Sequence, residues 1–425
     1  MRKMRDSGIE WVGAIPQNWQ LSKIGSLYTQ RNEKVSDKDY QPLSVTIQGI
    51  LPQLATAAKT DDGDNRKLVR VGDFAINSRS DRRGSCGISP LDGSVSLINI
   101  ILTPRTAMHP SYYNWLFHTT LFADEFYKWG HGIVADLWTT RWQEMKSITV
   151  PVPEYAEQER IAAFLDAECA EIDAVLERTR ASIEEYKKLK QAVITQAVTK
   201  GIRGDRPMKD SGIEWIGDIP KEWDCKKVKY VTSISRGIFN HRPRNDERYY
   251  GGEYPFIQTG DVAGAQKYIE SYSQTLNELG KSVSKCFPKG TLTMTIAANV
   301  GDAAILGFDA FFPDSVVGFI PNADINDEYL YYIFKAMKPE FVRTAIKSTQ
   351  LNLNVERIRD LFVPVVVQKS EQLEIAEYLN TKCADIDALI AKKQQYLTEI
   401  ENYKKSLIYE YVTGKKEVKT SVLAD

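Results

Sequence analysis

The sequence predicts an α+β chain of 425 residues in which two globular α/β domains are separated by two long helices that form an antiparallel coiled coil, an internal pseudo-two-fold repeat. Three observations predict it. Residues 158–200 and 372–414 each read as one long helix, each carries a single heptad stripe, and the string at residues 6–19 returns at 210–223.

The stripes come first. Ile172, Leu176, Thr179, Ile183, Tyr186, Lys190, Val193 and Ala197 are separated alternately by four and three residues, the spacing that lays one helix face on a partner. Ile386, Ile390, Lys393, Leu397, Ile400, Lys404, Leu407 and Tyr411 repeat it, each 214 residues on. Two matching stripes predict that the helices pair with each other. The expected seam is Ile172, Leu176, Ile183, Tyr186 and Val193 against Ile386, Ile390, Leu397, Ile400 and Leu407.

The repeated string is Asp6-Ser7-Gly8-Ile9-Glu10-Trp11-Val12-Gly13, with Ile15-Pro16 and Trp19, and then Asp210-Ser211-Gly212-Ile213-Glu214-Trp215-Ile216-Gly217, with Ile219-Pro220 and Trp223. Each unit therefore runs from string through globular segment into long helix. The expected divisions are a first domain at 1–153, a first helix at 154–201, a second domain at 202–367, a second helix at 368–414 and a tail at 415–425. Because the second string directly follows the first helix, the first string is expected near the end of the second helix, with the termini close.

Composition sets the class. Hydrophobic residues at 43% and charged residues at 26% are those of an ordinary globular protein, and no apolar run approaches the roughly 18 residues of a membrane span. A cytoplasmic protein with no membrane partner is expected. Five widely spaced cysteines without a C-x-x-C fit reduced thiols. The net charge of −1 hides a separation: residues 154–185 hold ten acids against three bases, while 66–83 hold six bases against two acids and 226–250 seven against two. The helix is acidic and the domains carry the positive patches.

The globular segments, 19–153 and 223–367, have little letter-by-letter likeness. Each leads a strand-like run into a polar, Gly-rich loop: Val71-Gly72-Asp73-Phe74-Ala75-Ile76-Asn77 before 78–87, and Gly290-Thr291-Leu292-Thr293-Met294-Thr295-Ile296 before 297–301. Each has a short aromatic helical stretch, 111–117 and 328–334, whose rings are expected in the core. Closing segments at 137–151 and 350–364 end in Val150-Pro151-Val152 and Val363-Pro364-Val365, the prolines marking entry to each helix.

The repeated string, the V-P-V segment before an acidic Gln-Glu-x-x-Ile-Ala helix (Gln158-Glu159, Ile161-Ala162; Gln372, Glu374-Ile375-Ala376), and Pro255-Phe256-Ile257-Gln258-Thr259-Gly260-Asp261-Val262 resemble the specificity subunit of type I restriction-modification systems. The resemblance spans essentially the whole chain and lies in the order of its parts. It implies two target-recognition domains held apart by two conserved helices. It also implies work on double-stranded DNA inside a complex with methyltransferase (M) and restriction (R) subunits. S-adenosylmethionine, ATP and Mg are then expected on those partners, with no cofactor on this chain. The globular segments match the family only in outline.

Physical reasoning agrees with that role. A helix of about 40 residues is about 60 Å long and a duplex turn roughly 34 Å, so the helix pair can act as a ruler between half-sites. Unlike domains on a repeated frame predict a split, non-palindromic target. Candidate DNA-binding side chains are Asn77, Arg79, Ser80, Arg82 and Arg83 in the first domain and Arg242, Arg244, Gln258, Thr259 and Asn299 in the second. Arginine can read guanine bidentately and Asn or Gln can read adenine. Gln350-Leu351-Asn352-Leu353-Asn354 is a further polar candidate.

Catalytic signatures are weak. Gly280-Lys281-Ser282 lacks the earlier glycine of a phosphate-binding loop, where Thr275 stands. Gly130-His131-Gly132-Ile133-Val134-Ala135 follows no strand-like run, and the four histidines show no metal-ligand spacing. Neither a catalytic residue nor a metal site is expected. Two other readings stand beside the DNA-specificity role: a self-contained enzyme with diverged motifs, and a coiled-coil scaffold without direct DNA recognition. For the partner surface, the outward acids Glu168, Glu171, Glu377 and Asp385 are candidates, with Tyr186, Tyr403 and Tyr411 either beside them or in the seam.

Overall fold

The computed structural model describes residues 2–53, 63–132, 138–297, 299–347 and 351–419. The chain forms two compact units, Met1–Arg180 with Gln395–Asp425, and Ala181–Gln394. Each unit holds one globular domain and a stretch of both long helices, Tyr155–Lys200 and Lys369–Val412.

In the first unit a four-stranded antiparallel sheet has the order Cys86–Ile88, Phe74–Asn77, Asn99–Pro104, Tyr28–Arg31. Phe74–Asn77 is buried along its whole length, as befits a strand covered on both faces. It starts later than the apolar run suggests, because Gly72 turns the chain at φ +85° and Asp73 accepts a hydrogen bond from the Arg70 amide. One sheet face receives Pro110–Phe117 and Thr120–Lys128. Proline opens the first of these helices, and the Thr119 hydroxyl caps the second at the Phe122 amide. Their rings form the core: Phe117 lies 4.5 Å from Phe74 and 4.7 Å from Phe122, centroid to centroid.

His118, just after the first of those helices, donates from Nδ1 to the Asn114 carbonyl at 2.7 Å, and burial lowers its pKa below 6.5. Since the folded value is the depressed one, this contribution to stability is fully present above about 6.5 and is lost as pH falls through the folded value. His118→Gln is expected to flatten the loss of stability on acidification below that point, read from denaturant midpoints across pH; an unchanged acid limb would count against it.

The second unit repeats the plan. Its main sheet has the order Thr232–Arg236, Val316–Pro321, Leu292–Thr295, Ala303–Leu306, Tyr268–Ile269, so its first four strands, taken from the opposite edge, follow the frame of the first unit. The aromatic stretch extends further than its short sequence signal, into the 18-residue helix Asp327–Thr344 with Pro339 inside, and Tyr329, Tyr332 and Phe334 are buried.

Both domains close on their helices in the same way. Thr149–Val152 pairs antiparallel with Gln20–Lys23, and Phe362–Val365 with Asp224–Lys227; a proline is tolerated because each ladder has only two strands. The repeated glutamine then has a structural task. Gln158 donates to the Pro153 carbonyl and accepts from the His109 amide, while Gln372 donates to Val366 and accepts from Asn326. The string's second tryptophan is likewise fixed. Trp19 donates to Glu157 at 2.8 Å and carries the Arg2 guanidinium 5.3 Å from its ring, and Arg2 pairs with Glu157. Trp223 carries Arg206, which pairs with Glu371.

The first string packs on the end of the second long helix, where Tyr409 and Lys415 both donate to the Val12 carbonyl. Gly414, at φ +72°, ends that helix against Pro16 and Trp19, and Gly201, at φ +77°, ends the first against Trp223; a left-handed position crowded by an indole admits glycine alone without strain.

Within each unit the helices run antiparallel. In the first, Phe164 stacks near Tyr411, Asp173 pairs with Lys404 and Arg180 with Glu401. In the second, Tyr186 carries Lys393 and Lys190 pairs with Asp387. The pair Asp173–Lys404 returns 214 residues on as Asp387–Lys190 with its members exchanged, the chemical trace of the duplication. Leu176, Ile183, Ile386, Ile390 and Leu407 are buried, and Ile172, Tyr186, Val193, Leu397 and Ile400 are half-buried.

Because the Lys190–Asp387 pair is partly exposed, Lys190→Asp is expected to cost only about 0.5 to 1 kcal/mol and Lys190→Asp with Asp387→Lys to recover most of it. Thermal unfolding of both single variants and the double checks this; additive losses would show that the ions do not interact.

Candidate nucleic-acid interface

In the first unit the hairpin Leu43–Thr46/Gly49–Pro52 stands beside the loop that follows Phe74–Asn77. Gly49, at φ +105°, allows the two-residue turn, and the Thr46 hydroxyl bonds the Gly49 carbonyl and the Gln48 amide across it. Ile47 at the tip is 69% exposed. Hairpin and loop enclose a cleft of about 890 Å³ whose polar lining includes Gln48, Gln53, Arg66, Asn77, Arg79 and Arg82.

The structure divides the sequence-predicted cluster. Arg79 and Arg82 are exposed on the cleft. Asn77 lines it but is buried, its Oδ1 accepting the Arg79 amide at 3.0 Å in a turn that starts the loop. Ser80 and Arg83 line another depression, where Arg83 is paired with Asp124 and lies over the Tyr127 ring. Arg83 is therefore tied to its own domain.

Sequence reasoning missed the hairpin side chains and Arg66. Arg66 is 5% exposed, donating to the Ser94 hydroxyl and carbonyl at 2.9 Å each, and desolvation lowers its pKa. Its charge adds to the cleft from below. The turn Thr46-Ile47-Gln48-Gly49 carries no Asn-Gly or Asp-Gly pair, and the run after it, Gly49-Ile50-Leu51-Pro52, does not alternate.

In the second unit the candidates are spread. Arg242 and Arg244 come together on the Asp314 carboxylate. Gln258 caps the short helix Thr259–Gly264 and donates to Gln274 at 2.8 Å, with Thr259 half-buried beside it. Asn299 is exposed in the loop between Leu292–Thr295 and Ala303–Leu306, the place that Arg79–Arg83 occupy in the first domain. No hydrogen bond among the described residues joins Gln258, Thr259 or Asn299 to Arg242 or Arg244.

Gln350, and the 133–135 part of the Gly130–Ala135 segment, lie outside the described residues, as does 420–425 of the tail. Lys281 donates to the Tyr254 hydroxyl and pairs with Glu278 on a five-residue helix. Among the described residues no cluster of His, Cys, Asp and Glu could hold a metal, and no helix is long and apolar enough to cross a membrane. Glu171, Glu377 and Asp385 are exposed and Glu168 half-buried; Tyr403 is exposed, whereas Tyr411 packs on Phe164 and Tyr186 lies against Lys393.

Comparison with known proteins agrees with this architecture. The model of the type I restriction modification DNA specificity domain matches residues 220–402. The type I restriction enzyme MjaIX specificity subunit of Methanocaldococcus jannaschii is 30% identical over 187 residues, 42% of this chain and 41% of that protein, so the match spans less than half of that relative. The MjaVIII specificity subunit of the same organism is 24% identical over 430 residues, covering 95% of this chain and 94% of that one. A chain solved in work on complex assembly and conformational transition of the type I R-M system superposes with a TM-score of 0.74 at 14% identity, covering 95% of this chain and 99% of that one; at that identity the likeness shows the fold alone. The chain is thus similar to type I restriction enzyme specificity subunits over nearly its whole length, and residues 220–402 match the type I restriction modification DNA specificity domain.

Proposed function

We propose that this chain is the non-catalytic sequence-specificity subunit of a type I restriction-modification complex, reading a bipartite, non-palindromic DNA target and docking methyltransferase and restriction subunits. The observation that carries the reading is one sheet frame used twice with different loops at the same place. The loop after Phe74–Asn77 presents Arg79 and Arg82, and the loop after Leu292–Thr295 presents Asn299. A frame repeated for stability alone would not require different polar groups there, whereas two different half-sites would.

Double-stranded DNA supplies phosphates to the basic loops and base edges to the cleft. The acidic outer faces of the long helices are the proposed partner surface. S-adenosylmethionine, ATP and Mg belong to the partner subunits in this reading, and the purified chain alone is expected to bind neither small molecule. The protein would work in the cytoplasm, where its DNA is.

The test is exchange of one domain. Replacing residues 1–153 by the matching segment of a relative with another target, in a cell holding the methyltransferase, is expected to change one half of the methylated motif and leave the other half as it was. A motif that changes in both halves, or in neither, would defeat the division of labour.

A further inference from the structure

The second domain gathers three arginines on one aspartate, two of them on its carboxylate. Arg242 and Arg244 flank Pro243, and both guanidinium groups reach the Asp314 carboxylate. Arg236, at the end of an edge strand, donates to the Asp314 main-chain carbonyl. Glycine at 237 makes the approach possible: a Cβ there would collide with the carbonyl oxygens of Phe312 and Pro313. Arg242 is also braced from behind, donating to the Phe239 and His241 carbonyls at 2.7 Å each.

Charge and exposure set what this cluster can do. Two cations share one carboxylate and a third lies on its main-chain carbonyl, so the group keeps an excess of positive charge. The side chains of Arg242 and Arg244 are 55% and 45% exposed and that of Asp314 35%, and ion pairs so open to water hold weakly. A backbone phosphodiester can offer both of its free oxygens to one guanidinium fork, where the single carboxylate is shared between two arginines, and a duplex adds the gain from released counterions.

We propose that Asp314 is an internal stand-in for a DNA phosphate, which the duplex displaces from Arg242 and Arg244. The inference rests on the DNA-binding reading above. Away from DNA the carboxylate quiets the arginines. On arbitrary duplex its displacement opposes binding, so it suppresses non-specific adhesion. At the target the remaining contacts of the domain carry the exchange through. Asp314 thus acts on discrimination as a positioning residue, through the arginines.

The experiment uses the full chain, duplexes with and without the target, and a salt series. Asp314→Asn is expected to tighten non-specific binding about 3- to 10-fold at low salt, to steepen the dependence of log K on log salt by about 1 to 2, and to narrow the ratio of specific to non-specific affinity. Asp314→Glu keeps the charge and is expected to behave as wild type. Arg242→Ala with Arg244→Ala is expected to weaken binding, and adding Asp314→Asn to that pair to change nothing further. Non-specific binding unchanged or weaker in Asp314→Asn would overturn the exchange, as would equal tightening without the two arginines, which would reduce the effect to overall charge. Absence of duplex binding by the wild-type chain would instead overturn the DNA-binding reading itself. Thermal unfolding of each variant separates these results from misfolding.

Discussion

Alanine at both Arg79 and Arg82 is expected to weaken duplex binding by about 2 to 4 kcal/mol, roughly 30- to 1,000-fold. Both side chains are exposed on the cleft beside the 43–52 hairpin, with the buried charge of Arg66 adding to the field below them. If they hold phosphates, the dependence of log K on log salt should become shallower by about 2; if one reads a guanine, discrimination at that base should relax. Arg83→Ala should behave differently, because Arg83 is paired with Asp124 on the neighbouring helix and its loss falls first on the domain. Titration of labelled duplex at several salt concentrations decides between these. Equal losses from Arg83→Ala and the double variant would mean that the cleft is not the contact surface, and no loss from the double variant would favour a scaffold without DNA recognition.

Trp223→Ala should produce the largest loss of stability. The indole is 1% exposed, sits against the Gly201 helix end and carries Arg206, which is paired with Glu371 at the start of the second long helix. Removing so large a buried ring typically costs about 3 to 5 kcal/mol, and here it also removes the surface on which the arginine is laid. For a unit of this size the midpoint of its unfolding should fall by roughly 6 to 20 °C. Trp19→Ala should act similarly on the first unit, with loss of the hydrogen bond to Glu157 added. Calorimetry of both variants measures this; a shift under about 2 °C for Trp223→Ala would show that the repeated string is not a structural clasp.

That clasp marks how far the sequence alone could be read. The heptad stripes, the repeated string and the V-P-V entry to each helix are local patterns, and the helices, their antiparallel course in each unit and the closing ladders follow from them. The exchange of Asp173–Lys404 for Asp387–Lys190 was implicit in the 214-residue offset once the helices were set antiparallel. Arg2 and Arg206 were legible too, since each stands four residues before the repeated Asp, but a shared arginine has no evident task until Trp19, Glu157 and their counterparts lie beside it.

The candidate site was legible only in part, because its grouping is tertiary. Arg79, Arg82 and Arg83 are near neighbours in the chain, yet what separates Arg83 is Asp124, on a helix beyond two further strands of the main sheet. The 43–52 hairpin lacks the Asn-Gly or Asp-Gly pair that announces such turns, so Gln48 and Gln53 went unnoticed. In the sequence Arg66 reads as one more surface charge, and only the fold brings Ser94 to its guanidinium. Arg242 and Arg244 were singled out, but Asp314, which gathers them, lies some seventy residues away on another loop.

The central claim is that one chain carries two different half-site specificities, and sequencing of methylated bases in host DNA, with and without this gene, tests it most directly. The account predicts a split, non-palindromic motif that disappears with the gene and returns with the wild-type chain. Methylation that is unchanged by loss of the gene, or a motif whose two halves are the same, would contradict it.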